Sequence, residues 1–505
     1  MEKRNECGFH GRVRCGVLPT ILLSCFLFLV PELPAQTTYY VATDGNDTSS
    51  RSGSAVDPWL SITYAMTRVQ AGDTILVRPG TYHAQAQLKG FFPSANVTVK
   101  SEIPYQARLR HTSHAVTFYE SVGVVLEGFD IAHTGPGSAP LVVHVSGFGN
   151  GETHHVSLIN NIIHDSHDND LLKINDGCHD VLVRGNLFYN QRGSDELIDI
   201  NSARNVIVEE NVFSSAFAQV GRSEVIGHVK SHIVIKDSNG DSDMFLGAHN
   251  ITVRRNIFVN FEGTDGSNYI TIGEDGLDFY EAYEVIIENN LLLGNSPVRM
   301  RSPFGIKGAR DVIIRNNTVS GNLPALEYGL RINAEGANPP AEDIRFYNNI
   351  WTDPTGTMDE FSRVASAQDL IRDRFAMERN LYWNAGNPIP ENSYMLVNFT
   401  DDPAAILADP LLVNPAGLIV PYWTGTTFSD GTSRIKDVFA TLVKTYGRPA
   451  KGSPVEGAAL SASAPATDIL GRMRDSSSSD IGAVELDGTE QAVDPTDLIN
   501  QCPCN

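Results

Sequence analysis

The amino-acid sequence predicts an all-β fold, a right-handed parallel β-helix, on three observations. An eight-residue template (apolar, any, apolar, any, any, Asn, any, apolar) recurs through the middle of the chain. Its copies start 25, 25, 45, 34, 27 and 32 residues apart, a spacing that suits a coil of fixed strands and variable loops better than a helical-repeat array. An isoleucine also stands between the Asn of one copy and the start of the next.

Residues 1–35 read as a secretory signal peptide. Lys3, Arg4, Arg12 and Arg14 precede an apolar run from Val17 to Val30, and Pro31, Pro34 and Ala35 follow, with cleavage expected near Ala35. The run is short of the ~20 residues that span a bilayer, so no membrane span is expected. Leu22, Leu23, Ser24 and Cys25 imitate a lipoprotein site, but the apolar run continues past Cys25.

Residues 36–120 are expected to form an N-terminal cap and the first rungs. Tyr39 to Thr48, Trp59 and a short helix over 61–70 lead into Asp73, Thr74, Ile75, Pro79 and Gly80. A solenoid needs such a cover, because its terminal rung otherwise exposes apolar surface and unpaired strand groups.

Residues 121–355 carry the repeats. The template reads Val156, Leu158, Asn161, Ile163; Val181, Val183, Asn186, Phe188; Val206, Val208, Asn211, Phe213; and Ile251, Val253, Asn256, Phe258. It continues as Val285, Ile287, Asn290, Leu292; Val312, Ile314, Asn317, Val319; and Ile344, Phe346, Asn349, Trp351, while a degenerate copy with Phe129 in the Asn slot spans Val124 to Ile131. Apolar alternation at period 2 means strand with one face buried. The Asn is expected to take a left-handed bend between two strands and to bond to the amides of neighbouring rungs, which makes it structural.

Ile174, Ile200, Ile235, Ile272, Ile306 and Ile332 form the expected inward stack of a further strand. Their neighbours must then face outward: Lys173, Asp199, Val234, Thr271, Gly305 and Arg331 before them, and Asn175, Asn201, Lys236, Gly273, Lys307 and Asn333 after. These columns make one solvent-facing stripe, with Asp176, Asp237, Glu274 and Asp275 just beyond it. Loops carrying Gly221, His228, His232, Gly263, Asp265 and Gly266 precede that strand in the two longest rungs, and Asp241, Asp243 and Asp278 follow it. Long loops beside a rigid face build clefts.

Residues 356–486 are expected to close the fold. Ser362 to Glu378 reads as helical or irregular, Phe439 to Tyr446 as a short helix, and Ser476 to Ser479 as a linker, while residues 487–505 read as an unstructured acidic tail.

Composition narrows the partners. The hydrophobic content of 41%, with 22 Phe and 16 Tyr, excludes wholesale disorder. A net charge of −22 argues against nucleic acid and anionic lipid as partners. Beyond the leader only Cys178, Cys502 and Cys504 remain; Cys178 reads as a small buried hydrophobe, and no zinc-ligand spacing is present. Sequons stand at Asn46, Asn96, Asn250, Asn316 and Asn398.

The rungs from Val124 to Trp351 resemble the pectate-lyase-like superfamily of right-handed parallel β-helices. Tyr40, Asp44, Gly45, Gly72, Asp73 and the run Pro79, Gly80, Thr81, Tyr82 resemble the N-terminal portion of its secreted bacterial members; Thr467 to Arg472 with Asp480, Ile481, Gly482 and Glu485 resembles their closing segment. The resemblance implies fold more than activity, since this fold hosts lyases, hydrolases, esterases, epimerases and adhesins. Polygalacturonase-type hydrolases carry Asn-Thr-Asp, Asp-Asp and Gly-His-Gly elements, and here only Gly227, His228, Val229 stands near the last. No Asp-Pro-His of alginate epimerases and no Gly-x-Ser-x-Gly elbow is present. Asp168, Asn169 and Asp170 resemble the acidic calcium segment of family 9 polysaccharide lyases, without its doubled Asp and Gly.

Chemistry selects among these. β-Elimination from a uronate needs its carboxylate charge neutralised, by Ca²⁺ or by Arg, Lys and Asn donors, and needs a base free of its own proton. Lysine serves where neighbouring positive charge or desolvation lowers its pKa. The stripe supplies Lys236 as first choice of base, then Lys307 and Lys173. Asp199, Asp237 and Glu274 are the expected calcium ligands. Arg331, Asn175, Asn201 and Asn333 are the expected substrate-positioning set. The expected protein is a secreted monomer acting on an extracellular acidic polysaccharide as a lyase. The alternatives are a glycoside hydrolase using two stripe carboxylates, a non-catalytic glycan-binding surface protein, or a plain solvated ladder of weak ion pairs.

Overall fold

The computed structural model describes residues 36–147, 152–191, 196–214, 231–259, 267–295, 300–322 and 327–487. Residues 1–35, expected as a signal peptide, the loops carrying Gly221, His228, Gly263, Asp265 and Gly266, and residues 488–505 of the expected acidic tail lie outside the described residues. Among those described, no helix is long and apolar enough to cross a membrane.

The chain coils through three parallel sheets of 13, 12 and 10 strands, each full turn adding one strand to each sheet. The apolar template positions before Asn lie in the first sheet, in register from rung to rung: Val156 pairs Val181, Val181 pairs Val206, and Val206 pairs Ile251. Their side chains are buried at 0–1% exposure, as are the six isoleucines of the third sheet. The interior is therefore a stack of like residues, with Phe188, Phe213 and Phe258 piled at 5.1 and 4.8 Å.

The Asn column runs from Asn161 to Asn380 between the first and second sheets. Each amide donates to a carbonyl of the preceding rung and to the next Asn, while its oxygen accepts from the previous Asn. Contrary to expectation, the left-handed residue is the one before each Asn: Asn160, Gly185, Glu210, Arg255, Asn289, Asn316, Asn348 and Arg379 have φ between +51° and +70°. That residue turns the chain so that the following Asn can point inward along the axis. Cys178 is fully buried, as expected.

Both ends depart from the sequence reading. At the N-terminus, Thr38–Val41 joins the first sheet beside Thr74–Val77. The expected helix is one short segment, Ile62–Met66, whose cap Ser61 accepts from the Tyr64 amide. At the other end the coil continues past Trp351. Strands Glu360–Arg363, Phe375–Glu378, Leu381–Trp383 and Ile406–Leu407 extend the sheets, where helical or irregular chain was expected over 362–378. The remaining C-terminal chain covers a side of the coil. Leu418, Val420, Trp423, Phe428 and the helix Ile435–Leu442 pack on the outward residues Ile162, Leu187, Val212, Ile257 and Leu291 of the second sheet.

A buried polar chain on the second sheet gives stability a pH signature. Asp130 bonds to both Arg110 and His164, and the other His164 nitrogen bonds to Asp165. Burial disfavours the His164 charge, but Asp165 and Asp130 outweigh it and raise the pKa; burial likewise opposes the Asp130 charge, but His164 and Arg110 lower its pKa. With its folded pKa raised, His164 contributes stability that is fully present below ~6.5 and lost as pH rises through the folded value. With its pKa lowered, Asp130 contributes above ~3.8 and loses that as pH falls through its own folded value. The Tm gap between wild type and His164→Gln is therefore expected to be wider at pH 5.5 than at pH 9. A gap independent of pH would remove the charge from the account.

Candidate active site

The third sheet places most of the expected residues on its outward side, but the expected solvent-facing stripe is largely covered: Asp199, Val234, Thr271 and Asn201 are 3%, 0%, 1% and 7% exposed, and Lys173, Lys236, Lys307, Arg331, Asn175 and Asn333 are only partly exposed. Lys173, Asp199, Val234, Thr271, Gly305 and Arg331 are consecutive register partners, and Asn175, Asn201 and Lys236 form the parallel row. The amides of Gly273, Lys307 and Asn333 donate to Ile235, Ile272 and Ile306, continuing that second row beyond the strands. Gly273 sits between the two lysines at φ +76°, where a Cβ would overlap the Lys307 carbonyl. The rows also extend upstream through His144 and Thr117, and through Ser146 and Tyr119, which the sequence reading did not include.

None of the three lysines stands alone. Lys173 pairs with Asp199 at 2.5 Å, Lys236 with Glu274 at 2.8 Å and Asp275 at 3.5 Å, and Lys307 with Glu335 at 2.5 Å. A lowered lysine pKa was expected, and the structure does the reverse for two of them. Burial works to lower Lys236, but Asp199, Glu274 and Asp275 outweigh it; burial likewise loses to Asp199 at Lys173. Both ammonium groups are held charged.

The three expected calcium ligands separate. Asp237 faces its own loop, accepting from the amides of Asn239, Gly240 and Gly247, and so anchors the return of the chain. Glu274 is the partner of Lys236. Asp199 is different: its Oδ1 is buried without a hydrogen-bond partner. Two further acids stand close to it, Asp170 and Glu196, at 1% and 7% exposure. The Glu196 amide donates to Asp170 Oδ1 at 3.1 Å. Burial and then the Asp199 charge push Asp170 up to about 7, and burial followed by Asp170 and Asp199 raises Glu196 well above the usual range. Three carboxyls in a poorly hydrated corner hold more negative charge than the Lys173 ammonium offsets, which calls for a shared proton or a cation. Their ligand oxygens do not all lie within 4.8 Å of one another, so a hard divalent ion such as Ca²⁺ would have to draw them together. Glu196 has no ligand reading in the sequence, and Asp170 enters only through the resemblance to an acidic calcium segment; both precede an inward isoleucine by four residues.

The far end of the face gathers three arginines around a buried acid. Glu327 is fully buried, with neither carboxylate oxygen hydrogen-bonded. Arg363 approaches it at 3.7 Å, and Arg331 and Arg301 add their charges nearby. Burial and then Arg301 lower the Arg331 pKa. Glu360 and Glu335 also act on this group, so three arginines meet three acids about 19 Å from Asp199, four rungs at ~4.8 Å each.

Of the other expected positions, Asn201 is tied to Ser238 through both amide atoms, and Asn175 Oδ1 accepts from His144 Nε2 at 2.8 Å. His232 does not line a loop. It is fully buried against Phe258 and Tyr269.

Among solved structures, that of pectate lyase Pel9A superposes with a TM-score of 0.51 at 16% identity, covering 89% of this chain and 96% of that one. The chain shares the parallel β-helix fold of that structure. An alginate lyase from Paenibacillus sp. str. FPU-7 superposes at a TM-score of 0.46 and 15% identity, over 65% of this chain and 98% of that one. XylC in complex with xylose does so at 0.43 and 12%, over 89% and 98%. No family model and no curated protein matches the sequence. At these identities the likeness concerns the pectate-lyase-like fold, and the chemistry rests on the residues of the third sheet.

Proposed function

We propose that the chain is a secreted polysaccharide lyase that cleaves an uronate-containing polysaccharide by β-elimination along the outer face of the third sheet. The observation that carries this reading is the ordered charge on that face: a buried carboxyl cluster, then lysines, then arginines, in register over neighbouring rungs. Pectate and alginate lyases among the solved structures of similar fold are consistent with it.

Asp170, Glu196 and Asp199 would hold Ca²⁺. Bound there, the ion supplies positive charge that neutralises the uronate carboxylate and offsets the field of Asp199 on Lys236. Lys236 Nζ would have to shed its proton against Glu274 at 2.8 Å and Asp275 at 3.5 Å before it takes the proton from the carbon next to the carboxylate; the electron pair then forms the new C=C bond, the glycosidic C–O bond on the adjacent carbon breaks, and the departing oxygen takes a proton from water. Lys173 orients Asp199. Arg331 with Arg301 and Arg363 binds a carboxylate further along the polymer, and Lys307, Asn175, Asn201 and Asn333 contact the sugars between. A hydrolase is disfavoured by geometry: Asp170 and Glu196 lie in hydrogen-bond contact, whereas an acid and a nucleophile or base flanking a glycosidic bond stand at least ~5 Å apart.

The test is wild type, Lys236→Ala and Lys236→Arg on a panel of uronate polymers with calcium. Wild type should generate the ultraviolet absorbance of an unsaturated product, and both variants should lose about a thousandfold in kcat. Equal activity in Lys236→Arg would make the residue a charge contact. Reducing ends without absorbance would establish hydrolysis, and neither product would leave a binding protein.

A further inference from the structure

A second cluster, away from the third sheet, has different donor chemistry. His154 and His179 begin adjacent strands of the first sheet and are register partners. Their rings therefore stack, with centroids 4.7 Å apart and planes 7° apart. Glu152, in the segment before the first of these strands, reaches across both. Its Oε1 lies 2.5 Å from His179 Nε2 and its Oε2 lies 3.9 Å from His154 Nε2. One donor atom from each residue falls within 4.8 Å of the others.

The far nitrogens are already committed. His179 Nδ1 bonds to Asp180 Oδ2 at 2.6 Å, and Asp180 is itself held by the Asn205 amide at 3.0 Å. Nε2 donates to Glu152 in the metal-free arrangement; with Nδ1 kept protonated by Asp180, loss of the Nε2 proton to a bound metal leaves the Nε2 lone pair for the ion, the carboxylate–imidazole arrangement that fixes the tautomer of metal-bound histidine. His154 Nδ1 meets His155 Nδ1 at 2.5 Å, so a proton is held between them and His154 can also present Nε2.

We infer that Glu152, His154 and His179 form a binding site for a borderline divalent transition metal, Zn²⁺ in the first instance, with Asp180 as the positioning residue. Two imidazoles and one carboxylate suit Zn²⁺, Ni²⁺ or Co²⁺, whereas the all-oxygen cluster around Asp199 suits Ca²⁺. Tetrahedral bonds of ~2.0–2.1 Å put ligand atoms about 3.3 Å apart, so Glu152 must move off His179 Nε2 and the imidazoles must tilt together. Glu152 is 61% exposed in its side chain and free to make that movement. The open fourth position faces solvent. The ion would tie the segment before His154 to two rungs, so its effect is on stability.

The experiment uses the full chain, stripped with a chelator and dialysed. Zn²⁺ is titrated calorimetrically, and Co²⁺ is followed by its visible absorption. Wild type is expected to bind one Zn²⁺ with micromolar or tighter Kd, to give a tetrahedral Co²⁺ spectrum and to gain Tm. His179→Ala should lose the site and the Tm gain, and Asp180→Asn should weaken binding about 10- to 100-fold. Asp170→Asn should leave Zn²⁺ binding unchanged. Circular dichroism identifies any variant that fails to fold, and Glu152→Gln, an exposed change, then replaces it. Absence of Zn²⁺ binding in wild type, or equal binding in His179→Ala and Glu152→Gln, would overturn the assignment and leave an imidazole bridged by two carboxylates.

Discussion

Asn211→Leu is expected to lower stability by about 3–6 kcal/mol, the largest loss from any single change along the coil, because it orphans several buried groups at once. Asn211 Oδ1 accepts from both the backbone amide and the side-chain amide of Asn186, at 2.8 and 3.0 Å. Its own amide donates to the Val183 carbonyl at 2.9 Å and to Asn256 Oδ1 at 3.0 Å. Leucine has the volume but none of these partners, and water has no route in, since all three asparagines are fully buried. Each unsatisfied group costs roughly 1–3 kcal/mol, partly recovered by the apolar burial of the new side chain. Asn387→Ala, at an exposed loop position with one 3.3 Å bond, should change stability by less than about 0.5 kcal/mol. Urea midpoints of the two variants check the contrast. A loss at Asn211 no larger than at Asn387 would mean that the column is ornamental and that apolar stacking alone sets the rung.

The inward columns and the outer face were legible because strand alternation is a local property. Once Ile174 and Ile200 are known to share a depth, Lys173 and Asp199 must be neighbours. Where strands give way to turns, that logic stops. Asp170 and Glu196 lie four residues before their isoleucines, past the start of each strand, and their contact depends on how two connecting segments enter the sheet. The charge state of Lys236 was hidden for a related reason. Glu274 belongs to the following rung, and its loop is folded back by Glu281, which accepts from the amides of residues 274, 275, 276 and 277. Periodicity carries no information about that return. The last full rung was a different kind of miss. Phe375, Met377, Asn380 and Tyr382 fit the template, and Asn380 continues the amide column, bonding to Asn349. Its start lies 31 residues after Ile344, within the range of the other spacings, so this copy was readable in the sequence and was overlooked.

Asp170→Asn should separate stability from activity in a way that a structural acid cannot. Asparagine keeps an oxygen to accept the Glu196 amide, so the local hydrogen bond survives while a carboxyl whose charge burial and Asp199 already disfavour is replaced by a neutral group. In calcium-free buffer at pH 8 the variant is expected to be as stable as wild type or more so, by up to about 2 kcal/mol, because like-charge repulsion in a buried corner is relieved. Addition of Ca²⁺ should raise the wild-type Tm and leave the variant nearly unmoved, since binding to the folded state alone stabilises it by mass action. Lyase activity should fall by a hundredfold or more and should not return at saturating Ca²⁺, because the remaining carboxylates hold the ion too weakly and out of place. A group kept for packing behaves in the opposite sense: its loss lowers Tm with or without the ion and affects turnover only through the folded fraction. Scanning calorimetry at two calcium concentrations, run beside the ultraviolet assay, reads both quantities on one preparation. A calcium-free Tm well below wild type would show that Asp170 holds the rungs together, and the cation site would then have to be sought elsewhere on the face.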